Sequence, residues 1–105
     1  MLERTKVSVP KTVKVPIELF GLPRLMLGTR DISVELPEHA TVQDLVVALA
    51  AAYPALVGRV ISKDGATLLS GYIVNRNGES FLEANANISL KPGETLLILS
   101  NMAGG

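Results

Sequence analysis

The residues best placed to do chemistry stand at the end of the sequence. An apolar run, Leu96-Leu97-Ile98-Leu99, is followed by Ser100-Asn101-Met102-Ala103 and then by Gly104-Gly105. Glycines without Cβ atoms make the thinnest possible chain and tolerate any backbone angle, so Met102, Ala103 and Gly104 could thread as an extended segment into a narrow channel of another protein. A terminal carboxylate, with a reference pKa of roughly 3.3–3.7, is ionised at neutral pH and can attack an activated phosphate. It is a poor electrophile, so acyl chemistry at Gly105 requires prior activation by a partner that uses ATP and Mg. A frayed terminus is the bland alternative. The elements that precede the tail decide between the two.

The composition excludes most other chemistry. The 105 residues are 48% hydrophobic and 19% charged, with ten basic residues balancing ten acidic ones. One small globular domain is expected, with no field that would steer it to nucleic acid or to an anionic membrane. Cysteine is absent and His39 is the only histidine. Thiolate chemistry and imidazole metal clusters are therefore not expected, and no metal site is assigned. His39, in "LPEHATVQD", is expected in an exposed loop. Asp44 and Glu94 read as a helix cap and a turn residue, and no paired carboxylates suggest general acid/base catalysis. The opening "MLERTKVSVPKT" lacks the apolar core of a signal peptide, and no run reaches the length of a membrane span, so a cytoplasmic protein is expected. Asn87-Ile88-Ser89 then matches a glycosylation pattern by chance.

The positioning elements follow from periodicity. Residues 1–12 alternate weakly around Pro10 and are expected to form a flexible arm. From Val13, a period of two places Val13, Val15, Ile17 and Leu19 on one face and Lys14, Pro16, Glu18 and Phe20 on the other. Pro16 within that strand suggests an edge position or a bulge. "GLPRLMLG" breaks the pattern as a hairpin connection would, and Ile32, Val34 and Leu36 alternate with Asp31, Ser33 and Glu35 in a second strand. Thr41 opens a helix with Asp44 three residues on, and Val42, Leu45, Val46, Leu49 and Tyr53 recur at helical spacing until Pro54. "ALVGRVIS" suggests a short second helix before an Asp64-Gly65 turn. "GYIVNRNGESFLE" reads as strand, Asn-Gly turn and short strand, and "ANANISLKPGE" as irregular polar chain. Glu94 to Leu99 is apolar on both faces, the mark of a central strand. One good helix covers one side of such a sheet. The other side needs a partner or remains an exposed apolar patch of the kind that marks binding sites. The order predicts an α+β fold with a single mixed sheet and one main packed helix.

With these elements in place, the stretch from Val13 to Gly105 resembles the small ubiquitin-like sulfur carriers, the family that includes the small subunit of molybdopterin synthase and the thiamin sulfur carrier. The residues that carry the resemblance are the "GLPRLMLG" loop, the helix from Thr41, Val74-Asn75, the Gly93-Glu94 turn and the terminal Gly104-Gly105. The resemblance implies a β-grasp domain over 13–100 and a flexible tail over 101–105. It implies that the chain is a carrier or co-substrate rather than an enzyme. An adenylating enzyme related to ubiquitin-activating enzymes would activate Gly105, and sulfur transfer would make it a thiocarboxylate. The sulfur would pass to the large subunit of a molybdopterin synthase or to another sulfur-accepting enzyme. The family's docking residues fall on Phe20, Leu99 and, after the Val74-Asn75 turn, near Phe81. Parity adds Leu97 on the face of Leu99. The family commonly carries proline before its tail, where this sequence has Ser100-Asn101-Met102, and aspartate where it has Glu94.

Two further classes use the same elements. In a protein modifier the activated Gly105 would be attacked by a lysine of a target protein. In a binding-only domain the apolar face docks and the terminus does nothing. Extending the chain past Gly105 abolishes the first two functions and spares the third.

Overall fold

The computed structural model describes residues 12–100. The sequence-based arm and the tail residues Met102, Ala103, Gly104 and Gly105 lie outside them, except that Thr12 already belongs to the first strand. The elements are β1 (Thr12–Leu19), α1 (Leu22–Leu27), β2 (Asp31–Pro37), α2 (Val42–Ala52), a 3-10 turn (Pro54–Leu56), β3 (Tyr72–Arg76), β4 (Ser80–Leu82) and β5 (Leu96–Ser100). They form one mixed sheet of order β2-β1-β5-β3-β4. The last strand lies at the centre and runs parallel to the first, Ile17 opposite Leu96 and Leu19 opposite Ile98. All other pairs are antiparallel. This is the mixed sheet with one main helix expected from the sequence.

Periodicity explains the core. Val15, Ile17, Leu19, Val34, Leu36, Val74, Leu96 and Ile98 point to one face and are buried against Val42, Leu45, Val46 and Leu49 of α2. Because side chains alternate along a strand, each strand contributes every second residue to this layer. The first turn of α2 is closed on both sides. Thr41 Oγ1 accepts from the Asp44 N–H, while the Thr41 N–H donates to Asp44 Oδ2. Such a capping box satisfies two N–H groups that have no partner within the helix. The N–H groups of Val42 and Gln43 donate to the carbonyls of Ala86 and Ala84, so residues 84–88 are strapped across the helix start.

Several expectations need correction. "GLPRLMLG" is not a plain hairpin loop. Pro23 in the first turn and Gly28 at the C-cap, with φ of +72°, enclose the six-residue helix α1. Pro suits the first turn because its missing N–H has no helical partner there, and glycine suits the left-handed cap. "ALVGRVIS" carries no second α-helix, only the three-residue 3-10 turn, yet it buries Leu56, Val60 and Ile61. The residues around Ile88 are not wholly peripheral, since Ile88 joins the core.

Pro16 is neither in an edge strand nor at a bulge. The N–H of Leu19 donates to Arg30 on the β2 side and that of Phe20 to Ile98 on the β5 side. By alternation the backbone of Pro16 faces β5, but pairing with β5 begins only at Ile17. The Pro16 carbonyl there accepts the Thr95 hydroxyl at 3.0 Å, and no N–H is required. Proline is tolerated because the ladder on that side has not yet started.

Candidate functional site

The face opposite α2 is built from the residues left over by the core alternation. Its rows follow the strand register. Glu18, Leu97, Asn75 and Phe81 lie side by side across β1, β5, β3 and β4, and Leu99 stands beside Ile73 in the next row. Phe20 follows β1 directly, and its N–H donates to the Ile98 carbonyl at 3.1 Å. Of the four residues predicted to dock a partner, Phe20 is 36% exposed and Phe81 62% exposed, while Leu97 and Leu99 are half-buried. The four therefore share one face that no helix covers. The sequence reading overlooked Ile73, although its offset of one from Val74 in the β3 pattern places it on the same face.

The face is electrically divided. Towards β2 it carries Lys14 opposite Glu35 and Glu18 opposite Asp31, with Thr12 Oγ1 donating to Glu35 at 3.1 Å. Arg30 reaches back to this end, its Nε 3.3 Å from Glu18 and its Nη2 3.2 Å from Asp31. The hydrogen bond to Asp31, then the charges of Asp31 and Glu18, hold the Arg30 guanidinium above its ordinary value. Exposed pairs of this kind add little stability, but they mark the polar rim of the surface. Towards β5, β3 and β4 the face is apolar.

Asn75 is the exception within the apolar part. It is 6% exposed, and its Oδ1 is buried without a hydrogen-bond partner. Leaving an acceptor unsatisfied costs about 1–3 kcal/mol. Among the described residues it is the one buried side-chain oxygen or nitrogen in that condition.

The topology also fixes where the tail begins. β5 ends at Ser100 at the same end of the sheet where β1 runs into Phe20 and α1, because the two strands are parallel. Gly105 lies five residues farther on. An extended residue spans at most about 3.3–3.6 Å, so the Gly105 carboxylate reaches no more than about 17 Å from Ser100.

Other places offer less chemistry. His39 is exposed in the turn before Thr41, with φ of +65°. Asp44 serves the cap, and a Glu94 carboxylate oxygen accepts from the Lys91 N–H at 2.9 Å across the turn. Among the described residues no group of three His, Cys, Asp or Glu side chains is placed to hold a metal ion. No helix among them is long and apolar enough to cross a membrane.

Comparison with known proteins settles the lineage. The model of the ThiS family matches residues 17–105, which include β1 from Ile17, the other four strands and the terminal Gly-Gly. The chain belongs to the ThiS family. A relative, small archaeal modifier protein 1 of Haloferax volcanii, is 36% identical over 88 residues, covering 84% of this chain and 97% of that protein. The crystal structure of small archaeal modifier protein 1 from Haloferax volcanii superimposes with a TM-score of 0.72 at 29% identity, over 89% of this chain and 100% of that one. A Pyrococcus furiosus protein described as a putative molybdopterin converting factor, subunit 1, shares the fold with a TM-score of 0.64. It is 22% identical and covers 86% of this chain and 99% of that one. These ThiS-family likenesses bear out the ubiquitin-like, β-grasp reading of the sequence.

Proposed function

We propose that this protein is a sulfur carrier that works through the Gly105 carboxylate. A carboxylate oxygen attacks the α-phosphate of ATP in an adenylating enzyme of the ubiquitin-activating type, pyrophosphate leaves, and Gly105 becomes an acyl adenylate. A sulfur nucleophile at the sulfide level then displaces AMP and leaves a thiocarboxylate. A sulfur-accepting enzyme of cofactor biosynthesis, with the large subunit of a molybdopterin synthase as the first choice, consumes it. ATP and Mg belong to the activating enzyme, not to this chain, and the setting is the cytoplasm.

The observation that carries this reading is the match of the ThiS family model through the terminal Gly-Gly, together with an uncovered apolar face ending where the tail begins. Face and tail support each other energetically. Ordering one flexible residue costs roughly 1–2 kcal/mol, so threading residues 101–105 into a channel needs contacts from the body as well. Phe20, Leu97, Leu99 and Phe81 can supply them.

A second reading has its own support. The 36% identical relative is named a modifier protein, and the same acyl adenylate would give an isopeptide bond if a target lysine attacked it. Intact mass analysis of the protein from its own cells separates the outcomes. Replacement of one oxygen by sulfur at Gly105 is the expected result for the carrier. A bond from Gly105 to a lysine of another protein would establish the modifier instead. An unmodified carboxylate under both sulfur-limited and sulfur-replete growth would leave a domain that only binds.

A further inference from the structure

Helix α1 is held rigidly by residues that point inward. Pro23 is buried, and Met26 and Leu27 pack against the core. The Leu25 N–H donates to Gly21 at 3.1 Å and the Gly28 N–H to Arg24 at 2.9 Å, so the short helix is closed at both ends. Arg24 and Leu25 point the other way. Leu25 is 78% exposed, more than any other exposed large hydrophobic residue among those described. A single exposed leucine is ordinary. Its place is what distinguishes it.

Leu25 is one helical turn from Gly21, and Gly21 follows Phe20, which is hydrogen-bonded to β5. A turn of helix and one strand spacing put Leu25 about 10–12 Å from the end of β5. That is less than the roughly 17 Å that residues 101–105 can span. α1 therefore lies within reach of an enzyme whose active site closes on Gly105.

We propose that α1 is a recognition element for the enzyme that adenylates Gly105, with Leu25 as an apolar anchor and Arg24 facing an acidic group of that enzyme. The inference rests on the carrier reading above and extends its surface from the open sheet face onto the helix. The helix is already ordered in the free protein, so seating Leu25 in a pocket costs little conformational freedom and most of its burial counts towards affinity. The exposed guanidinium adds orientation and a salt-dependent encounter rate. An enzyme fitted to this carrier thus presents an apolar pocket with a carboxylate beside it, next to the channel that receives the glycines. Because α1 lies outside the sheet face, it can select the activating enzyme independently of whichever acceptor reads Phe20 and Leu99.

The test is carrier-dependent ATP–pyrophosphate exchange by the activating enzyme from the same cells, measured against carrier concentration with the full-length chain. Leu25→Asp is expected to raise KM about tenfold or more while kcat stays within about twofold, and Leu25→Met is expected to restore KM. Arg24→Glu should raise KM by a smaller factor, and added salt should narrow its difference from wild type. Circular dichroism and thermal melting of Leu25→Asp should match wild type because the side chain is exposed. If Leu25→Asp keeps a wild-type KM while the protein extended beyond Gly105 drives no exchange, the role of α1 is overturned while adenylation of Gly105, the step on which the carrier reading rests, stands. If wild-type protein drives no exchange, the carrier reading falls and takes this inference with it.

Discussion

The two faces of the sheet are made from the same strands and nearly the same residue types, yet they differ in what covers them. On one face Ile17, Leu19, Leu96 and Ile98 lie under α2 and are almost fully buried. On the other, Leu97 and Leu99 remain half-buried, and Phe20 and Phe81 are exposed. The first face stabilises the fold by removing apolar area from water, at about 25 cal/mol per Å². The second leaves that gain unrealised until a partner covers it. The carrier function proposed above, in which the chain passes from an activating enzyme to an acceptor, would need such a face, because one sealed within the fold could not be shared in turn.

The sharpest way to break the comparison is to truncate equivalent leucines. Leu49→Ala, in the covered layer, is expected to lower unfolding free energy by about 2–5 kcal/mol in urea titration. Leu97→Ala, one residue from a core position, should lower it by less than about 1 kcal/mol and instead weaken partner binding. Equal losses at the two sites would mean that the open face is part of the core.

A smaller effect tests the cover itself. Thr41→Ala removes one half of the capping box and should cost about 0.5–2 kcal/mol of stability, measured by thermal melting. The affinity of the open face for its partner should hardly change, since the helix lies behind the sheet. A loss of affinity as large as that caused by Leu99→Ala would show that the two faces are coupled.

The third test concerns the one polar residue inside the apolar face. Asn75→Val removes the buried unpaired acceptor and adds a residue that favours strands, so unfolding free energy should rise by about 1 kcal/mol. A destabilised variant would show that the Asn75 amide makes contacts worth more than its orphaned oxygen costs.

The smallest expected effect lies away from both faces, at Asp64. The Ser62 hydroxyl and then the Ala66 N–H donate to its carboxylate and hold it below the ordinary carboxylate value. A depressed acid stabilises the fold above its unfolded pKa, and that contribution disappears as pH falls through the lower folded value. In wild type it should therefore be lost progressively below about pH 4, whereas Asp64→Asn should lose the dependence. With the group fully exposed, a difference in melting temperature of a degree or so is the scale to look for. A shift in the opposite direction would count against the hydrogen-bonded carboxylate.

The parts of the fold legible in the sequence are those fixed by local rules. Val15, Ile17 and Leu19 alternate, Thr41 and Asp44 cap, Asn77 and Gly78 take positive φ in the turn between β3 and β4, and the run to Leu99 is apolar on both sides. Each rule acts over a few residues, so it can be read without the partner element. The errors fell where a local rule met a distant neighbour. Pro16 signals an edge by itself, but only the staggered start of β5 shows why an inner strand accepts it. Ile88 sits in a polar stretch and looks peripheral, yet its N–H donates to Ala40 and its side chain is buried.

For the site, the sequence by itself determined the residue types: two glycines behind an apolar strand, and apolar residues at both parities of β5. Those follow from backbone freedom and side-chain alternation, which are properties of the chain alone. Only the tertiary structure decided that β5 pairs in parallel with β1, so that Phe20, Leu97, Leu99 and Phe81 share one uncovered face and α1 stands beside the start of the tail. Strand order is set by which apolar faces can be buried together, a competition among segments whose paired residues lie as far apart as Ile17 and Leu96, which no single segment records.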